Sequence, residues 1–236
     1  MNKIYFDIID STNKNLKSNT NLPNLTIVTA RHQTNGKGRL GRTWFDNDDL
    51  MFSILVKEYL DKPTDYSILI AITICNVLDK FNLNPLIKWP NDIIVNDKKI
   101  SGILLESTGI NRIENVIIGV GINTNSKSFP SNLVFKATSL SLETTNKIDN
   151  NKLLDLIIDE FNNLYNLYIN KHINIIKEVE KRFYLLDRLV NFIYKNDLCM
   201  GIAKGIDSDG NIIIQANNNE YHISSGEITL QDIYNK

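Results

Sequence analysis

Hydrophobic and polar positions along the chain fall into runs of two periods. Lys3–Ile8 alternates with a period of two and predicts a strand, followed by Ser11-Thr12-Asn13 as the cap of a short helix. Leu25–Ala30 and Leu50–Val56 predict further strands. Between them His32–Asp49 is polar and rich in glycine and charge, so it predicts a long loop of the functional or disordered kind. Ile68, Leu69, Ile72, Cys75, Val77 and Leu78 recur at helical spacing and predict a helix over Thr64–Phe81. Pro85–Trp89, Asp92–Val95, Lys99–Glu106 and Asn115–Gly121 read as short strands, with Asn96-Asp97 as a tight turn. Strands so close in sequence require an antiparallel or mixed sheet, because parallel neighbours need long crossovers. Leu153, Leu154, Ile157, Ile158, Phe161, Leu164, Tyr165 and Tyr168 form a helical stripe, and a second helical stretch runs to about Phe183. From Arg188 the texture changes to short strands at Leu189–Tyr194, Leu198–Ile206, Asn211–Gln215 and Tyr221–Ser224, with turns such as Asp209-Gly210. That pattern suits a small all-β barrel. The expected division is 1–186 and 187–236.

Composition narrows the class. The 236 residues suffice for one fair-sized domain and a small appendage, and 42% hydrophobic residues is ordinary for a packed protein. A formal net charge of −1 gives no global field for nucleic acid or membrane. The two cysteines, Cys75 and Cys199, stand far apart in no metal or redox spacing and read as free thiols of a cytoplasmic protein. Met1–Asp10 lacks a basic segment followed by an apolar run, so no secretory signal is expected. No stretch approaches the roughly 18 apolar residues of a membrane span.

Four clusters carry candidate chemistry. Gly36-Lys37-Gly38-Arg39-Leu40-Gly41-Arg42 formally satisfies G-x-G-x-x-G, but a strand follows it where a dinucleotide fold needs a helix. Glycines that admit close backbone approach, mixed with three cations, suit a phosphate or a carboxylate; a solvated basic loop is the plainer reading. Lys88-Trp89-Pro90-Asn91-Asp92 contains a carboxylate able to bind Mg²⁺ with phosphates, or is simply a turn. Lys99 begins an apolar strand that a sheet holds rigidly, and Gly102 leaves room against it. Gly119 and Gly121, inside the strand leading to Asn123, imply close approach of a ligand or of neighbouring structure.

The order of these motifs resembles the catalytic core of biotin protein ligases. The residues that carry the resemblance are Ser11-Thr12-Asn13, the stretch Gln33–Trp44, Lys88–Asp92, Lys99-x-x-Gly102 and Gly119-x-Gly121-Ile122-Asn123. It runs from about Ile4 to Leu140 and more loosely through Gly201–Leu230. The resemblance implies an α+β fold, a catalytic domain like that of class II aminoacyl-tRNA synthetases with a mixed sheet, and a C-terminal SH3-like barrel. It implies a ligase that joins biotin to AMP, with ATP and Mg²⁺, and then biotinylates a lysine of a biotin carboxyl carrier protein domain.

The same resemblance assigns roles. Ser11, Thr12 and Gln33 would face the biotin ring and ureido group, and the Gly36–Arg42 loop, with Lys37 and Gly38, would close over it. Arg39 and Lys99 would lie at the biotin carboxylate and α-phosphate as the catalytic cations. Gly102, Gly119 and Gly121 would give biotin room. Arg42, Trp44 and Asn123 would serve the nucleotide, and Asp92 the metal. Lys37 stands where the family usually has arginine. The segment Thr124–Thr138 matches only in general character and carries no assigned roles. The catalytic core begins by residue 4, so no DNA-binding domain, and hence no sequence-specific DNA binding, is expected. A monomer and a homodimer both stay open. A lipoate–protein ligase, a non-catalytic biotin or nucleotide sensor and a nucleic-acid-binding protein are the competing readings. Trp44 and Lys88–Asp92 favour biotin over lipoate, the presence of Arg39 and Lys99 argues against a sensor, and the balanced charge argues against nucleic acid.

Overall fold

The computed structural model describes the chain except residues 46, 60, 61, 225, 227 and 231–236. The elements are β1 (Lys3–Ile9), α1 (Thr12–Ser18), β2 (Thr26–Gln33), β3 (Leu50–Val56), α2 (Asp65–Asp79), β4 (Leu86–Lys88), β5 (Asp92–Val95), β6 (Lys98–Thr108), β7 (Asn115–Ile122), α3 (Leu140–Thr144), α4 (Asn150–Ile169), α5 (Ile175–Glu180), β8 (Leu189–Tyr194), β9 (Asp197–Ile206), β10 (Ile212–Ala216), β11 (Asn219–Ile223) and β12 (Thr229–Leu230). The first seven strands form one sheet in the order β1-β2-β3-β7-β6-β5-β4. β1 and β2 are parallel, with α1 in the crossover, and the other neighbours are antiparallel. This is the mixed sheet that the strand spacing requires.

The two-residue period of the strands separates two faces. Leu50, Phe52, Ile54 and Val56 of β3 and Val116, Ile118, Val120 and Ile122 of β7 enter the main core under α2 and α4. α2 is a buried helix, with eleven of its fifteen residues inside, so its hydrophobic positions extend around it. On the opposite face Leu16 of α1 packs with Val28, Leu55 and Ile117. Further along that face the registered triplets are Ser53, Gly119 and Leu104, then Met51, Gly121 and Gly102. Large side chains run out there, which leaves a hollow on the sheet beside α1.

The β5–β6, β8–β9 and β10–β11 hairpins each turn on two residues with positive φ: Asn96-Asp97, Lys195-Asn196 and Asn217-Asn218. This geometry matches the twist of the flanking strands, and asparagine tolerates it well. β8–β12 form a five-stranded antiparallel sheet in the order β11-β10-β9-β8-β12. Its inward residues, among them Val190, Phe192, Ile212 and Ile214, belong to the same continuous core as the first sheet. Across the junction the Trp89 indole donates to the Gly210 carbonyl at 2.9 Å, and the Arg188 guanidinium lies 4.1 Å from the Tyr184 ring centre. α3 and β12, of five and two residues, are too short to leave a periodic signal.

On the second sheet His222 Nδ1 lies 2.6 Å from Asp207 and Nε2 3.0 Å from Glu220. Burial raises the Asp207 carboxyl, but bonds from His222, Asn211 and Asp209 outweigh this and hold it at about 2. Asp207, then Glu220, raises the His222 imidazole above its usual 6.5. A raised histidine contributes stability that is complete below its unfolded pKa and is lost as pH rises through its folded pKa. Melting temperature should therefore fall as pH rises past about 6.5. His222→Gln should remove that component, as read by calorimetry across a pH series.

Candidate active site

The hollow is a cleft of about 620 Å³. One end is built by the start of α1. Ser11 caps the helix, its hydroxyl accepting from Lys14 N at 3.4 Å. Thr12 N and Oγ1 lie 2.7 and 3.0 Å from Gln33 Oε1 at the end of β2. Thr12 Oγ1 also meets Ser53 Oγ at 2.7 Å, and Ser53 Oγ lies 2.6 Å from Asn13 Oδ1. Asn13 Nδ2 donates to Glu106 at 2.8 Å, and Lys17 pairs with the other oxygen of that carboxylate at 2.8 Å. Burial raises the Glu106 carboxyl, but Lys17 and Asn13 together bring it below its usual range.

The basic loop forms a small hairpin. Gly38 N donates to Arg42 O at 2.7 Å and Trp44 N to Gly36 O at 3.0 Å, with Lys37 bridged to Thr43. Leu40 and Gly41 take φ of 54° and 74° in succession at a 3-10 turn, Arg39–Gly41. Arg39 is held outside the turn: it donates to Asn91 Oδ1 at 3.1 Å and to the Gly226 carbonyl at 2.9 Å. Arg39 thus touches both the β4–β5 turn and the connection between β11 and β12.

Lys37, Gly38, Arg39 and Arg42 all line the cleft, and Trp44 folds back into it. A Cβ at Gly121 would come within 2.3 Å of the Trp44 ring, and one at Gly102 within 2.9 Å. A Cβ at Gly119 would come within 2.2 Å of Asn13 Oδ1. The room expected for a ligand over Gly119 and Gly121 is therefore occupied by Asn13 and by the Trp44 indole. The Trp44 N–H is buried without a hydrogen-bond partner among the described residues. Lys99 Nζ lies 5.6 Å from the Trp44 ring centre and pairs with Asp92 at 2.6 Å.

Asp92, expected at a metal, thus faces a lysine. Among the described residues no three His, Cys, Asp or Glu side chains converge as a metal cage. A lone carboxylate still fits Mg²⁺, which binds through one or two carboxylates plus phosphates. Asn123, expected at the nucleotide, lines the cleft but commits its amide nitrogen to the Thr138 carbonyl at 2.9 Å.

Asp49 is a structural feature that the sequence did not single out. It is 3% exposed. One oxygen accepts from the backbone of Thr124, Asn125 and Ser126 at 2.8–3.1 Å, and the other from Ser126 Oγ at 2.5 Å. Burial raises its carboxyl above the usual range despite these bonds. Lys99 N donates to Lys136 O, and Thr138 N to Lys99 O, at the other end of the 124–138 segment. The segment is thereby clamped at both ends across the cleft, and Phe129 and Leu133 line it. Asn13, Asn91, Ser53 and Glu106 were also missed as site-building groups; local periodicity reports only that Ser53 and Glu106 lie within strands.

Lys37, Arg39, Arg42, Lys88, Lys99 and Lys136 line the cleft against Asp49, Asp92 and Asp97. A cationic cleft on a chain of net charge −1 favours anionic ligands there. Cys75 is no nucleophile for it: burial pushes the thiol up to about 12.

Comparison with known proteins identifies the family. The Biotin/lipoate A/B protein ligase family matches residues 5–123, and the Biotin protein ligase C terminal domain matches residues 185–230. The chain is 32% identical over 238 residues to the bifunctional ligase/repressor BirA of Bacillus subtilis, covering 96% of this chain and 73% of that protein. It is 31% identical over 163 residues to a biotin--[acetyl-CoA-carboxylase] ligase of Paracoccus denitrificans, covering 64% of this chain and 68% of that one. The structure resembles biotin protein ligase from Aquifex aeolicus in complex with biotin and ATP, with a TM-score of 0.86, 26% identity and 98% of each chain covered. The chain belongs to the biotin/lipoate A/B protein ligase family and, within it, is a biotin protein ligase.

Proposed function

We propose that this ligase binds biotin and ATP in the cleft, forms biotinyl-5′-AMP and transfers biotin to a lysine of a biotin carboxyl carrier protein domain. The observation that carries this reading is the convergence of the basic loop, Lys99 and the polar end of α1 on a single cleft. Ser11, Thr12 and Gln33 hold the ureido end. Arg39 and Lys99 serve the carboxylate and α-phosphate, with Arg42 and Trp44 on the nucleotide side. Asp92 is the residue that would hold Mg²⁺ carried in with the triphosphate, where the ion neutralises phosphate charge.

In the first step a biotin carboxylate oxygen attacks the α-phosphorus and pyrophosphate leaves. Both reactants are anionic, so fixed cations offset their repulsion and stabilise the developing charge. In the second step the acceptor amine attacks the acyl carbon and AMP leaves. No covalent enzyme intermediate is needed, because the mixed anhydride is itself the activated acyl group. That anhydride is prone to hydrolysis, so the 36–44 loop and the clamped 124–138 segment shield it from water.

We read 1–186 as the catalytic unit and 187–236 as the C-terminal unit, of which 225, 227 and 231–236 lie outside the described residues. We further propose a cytoplasmic enzyme without repressor activity; the net charge of −1 supports the latter, and a DNA mobility-shift assay tests it. No described helix is long and apolar enough to cross a membrane.

Pyrophosphate release from ATP and Mg²⁺ should depend on biotin and not on lipoate, with the adenylate seen by mass spectrometry. Release with lipoate alone would move the chain to the sister activity. Arg39→Gly should leave a folded enzyme that forms the adenylate but releases it into solution, because Arg39 ties the loop to Asn91 and Gly226. Adenylate retained at wild-type level by gel filtration contradicts that role.

A further inference from the structure

We propose that the outer face of the C-terminal sheet, on β8 and β9, is a docking surface for the protein that accepts biotin, a small domain with apolar residues beside its target lysine. The inference rests on reading the cleft as the site of biotinyl transfer.

Residues directly opposite one another on antiparallel strands share a face of the sheet. Thr229 of β12 pairs with Asn191 of β8, and Asn191 with Met200 of β9. In the rows on either side Leu189 pairs with Ile202 and Ile193 with Leu198. The inner face is filled, with Val190, Phe192 and Leu230 buried. The outer face is apolar except for Asn191, yet Leu189, Ile193, Leu198 and Met200 are 37, 63, 76 and 53% exposed. Scattered apolar residues on a surface need no explanation, but large ones in adjacent rows of one sheet form a patch, and such patches mark interaction surfaces.

What covers the patch follows from where its central row begins. Thr229 lines the cleft, so the row runs from the cleft wall outward. Strands lie about 4.8 Å apart, which puts Met200 roughly 10 Å from Thr229 across the sheet. A protein whose lysine enters the cleft reaches that far. A standard interface covers about 800 Å² on each partner, equal to a disc of roughly 16 Å radius. The acceptor surface around the lysine therefore extends over β8 and β9. The unbranched Met200 side chain adapts to the surface it meets, and the cationic cleft beside the patch suits acidic residues around the lysine.

The test separates transfer to a protein from every earlier step. The double variant Leu198→Glu, Met200→Glu changes only outward-facing positions, so melting temperature and biotin-dependent pyrophosphate release should match wild type. Its KM for a biotin carboxyl carrier protein domain should rise about tenfold or more, the scale of losing an interface anchor, with kcat near wild type. Transfer to hydroxylamine, which needs no docking surface, should be unchanged. An unchanged KM for the carrier domain overturns the proposal, and so does an equal loss with hydroxylamine, which would place the effect in the cleft. Wild type that sediments as a dimer and a variant that sediments as a monomer, with the same carrier KM, would give the face to a second copy of the chain and also overturn it. Wild type that forms the adenylate but biotinylates no carrier domain overturns the functional reading itself.

Discussion

Replacing Lys99 by alanine should cut biotin-dependent ATP–pyrophosphate exchange by roughly 100- to 1,000-fold, about 2.7–4 kcal/mol, the loss found for a preorganised group that meets developing charge. Biotin binding should change little, because Lys99 lies by Trp44 and Gly102 while the ureido end is built by α1. Two effects combine. The variant loses a cation held on β6, and it leaves the Asp92 carboxylate, paired at 2.6 Å, facing the incoming phosphates without its counter-charge. Lys99→Arg should recover only part of the rate: the charge is restored, but a planar fork does not fill the place of a compact ammonium. Exchange at wild-type rate in Lys99→Ala would remove Lys99 from the mechanism.

The second large effect is expected on stability. Asp49→Ala removes the acceptor of three backbone N–H groups at 124–126 and of the Ser126 hydroxyl. Buried donors left unmatched cost about 1–3 kcal/mol each, so allowing for some water entry the loss should be about 3–4 kcal/mol. For a chain of this size that lowers the melting temperature by roughly 6–16 °C. The loss should be local first: hydrogen exchange should accelerate in 124–139 before it does in β7. Asp49→Asn keeps one acceptor oxygen and should lie between the two. A melting temperature within 2 °C of wild type would limit the clamp to less than about 1 kcal/mol and contradict the expected loss.

These two residues connect the fold to the chemistry. Lys99 fixes the far end of the 124–138 segment through its backbone and offers its side chain to the cleft. Asp49 fixes the near end. The segment is thereby tied to the walls of the cleft at both ends. Arg39 makes a comparable link on the other wall, where the loop reaches Gly226. A perturbation of the β11–β12 connection at Gly226 should reach the active-site loop through the Arg39 guanidinium.

By itself the sequence determined the succession of strands and helices, the mixed sheet, the all-β C-terminal part and the family. Each of these depends on a local pattern: alternation in β1, apolar runs in β3 and β7, helical spacing in α2 and α4, and short motifs in a fixed order. Even the hollow was written locally, since one face of β7 reads Ile117, Gly119, Gly121 and runs out of side chains. Only the tertiary structure decided what stands in that hollow. Asn13 and Glu106 are 93 residues apart, Ser53 and Asn13 40, Asp49 and Thr124 75, and Arg39 and Gly226 187. No periodicity carries such pairs, because they are set by where the loops and α1 cross the sheet and by which face of the sheet each strand side chain takes. The small hairpin of the basic loop placed the Trp44 indole over Gly121, and the pairing of β5 with β6 placed Lys99 against Asp92. Tertiary packing thus turned residues that read singly as polar loop or strand positions into the walls of one site.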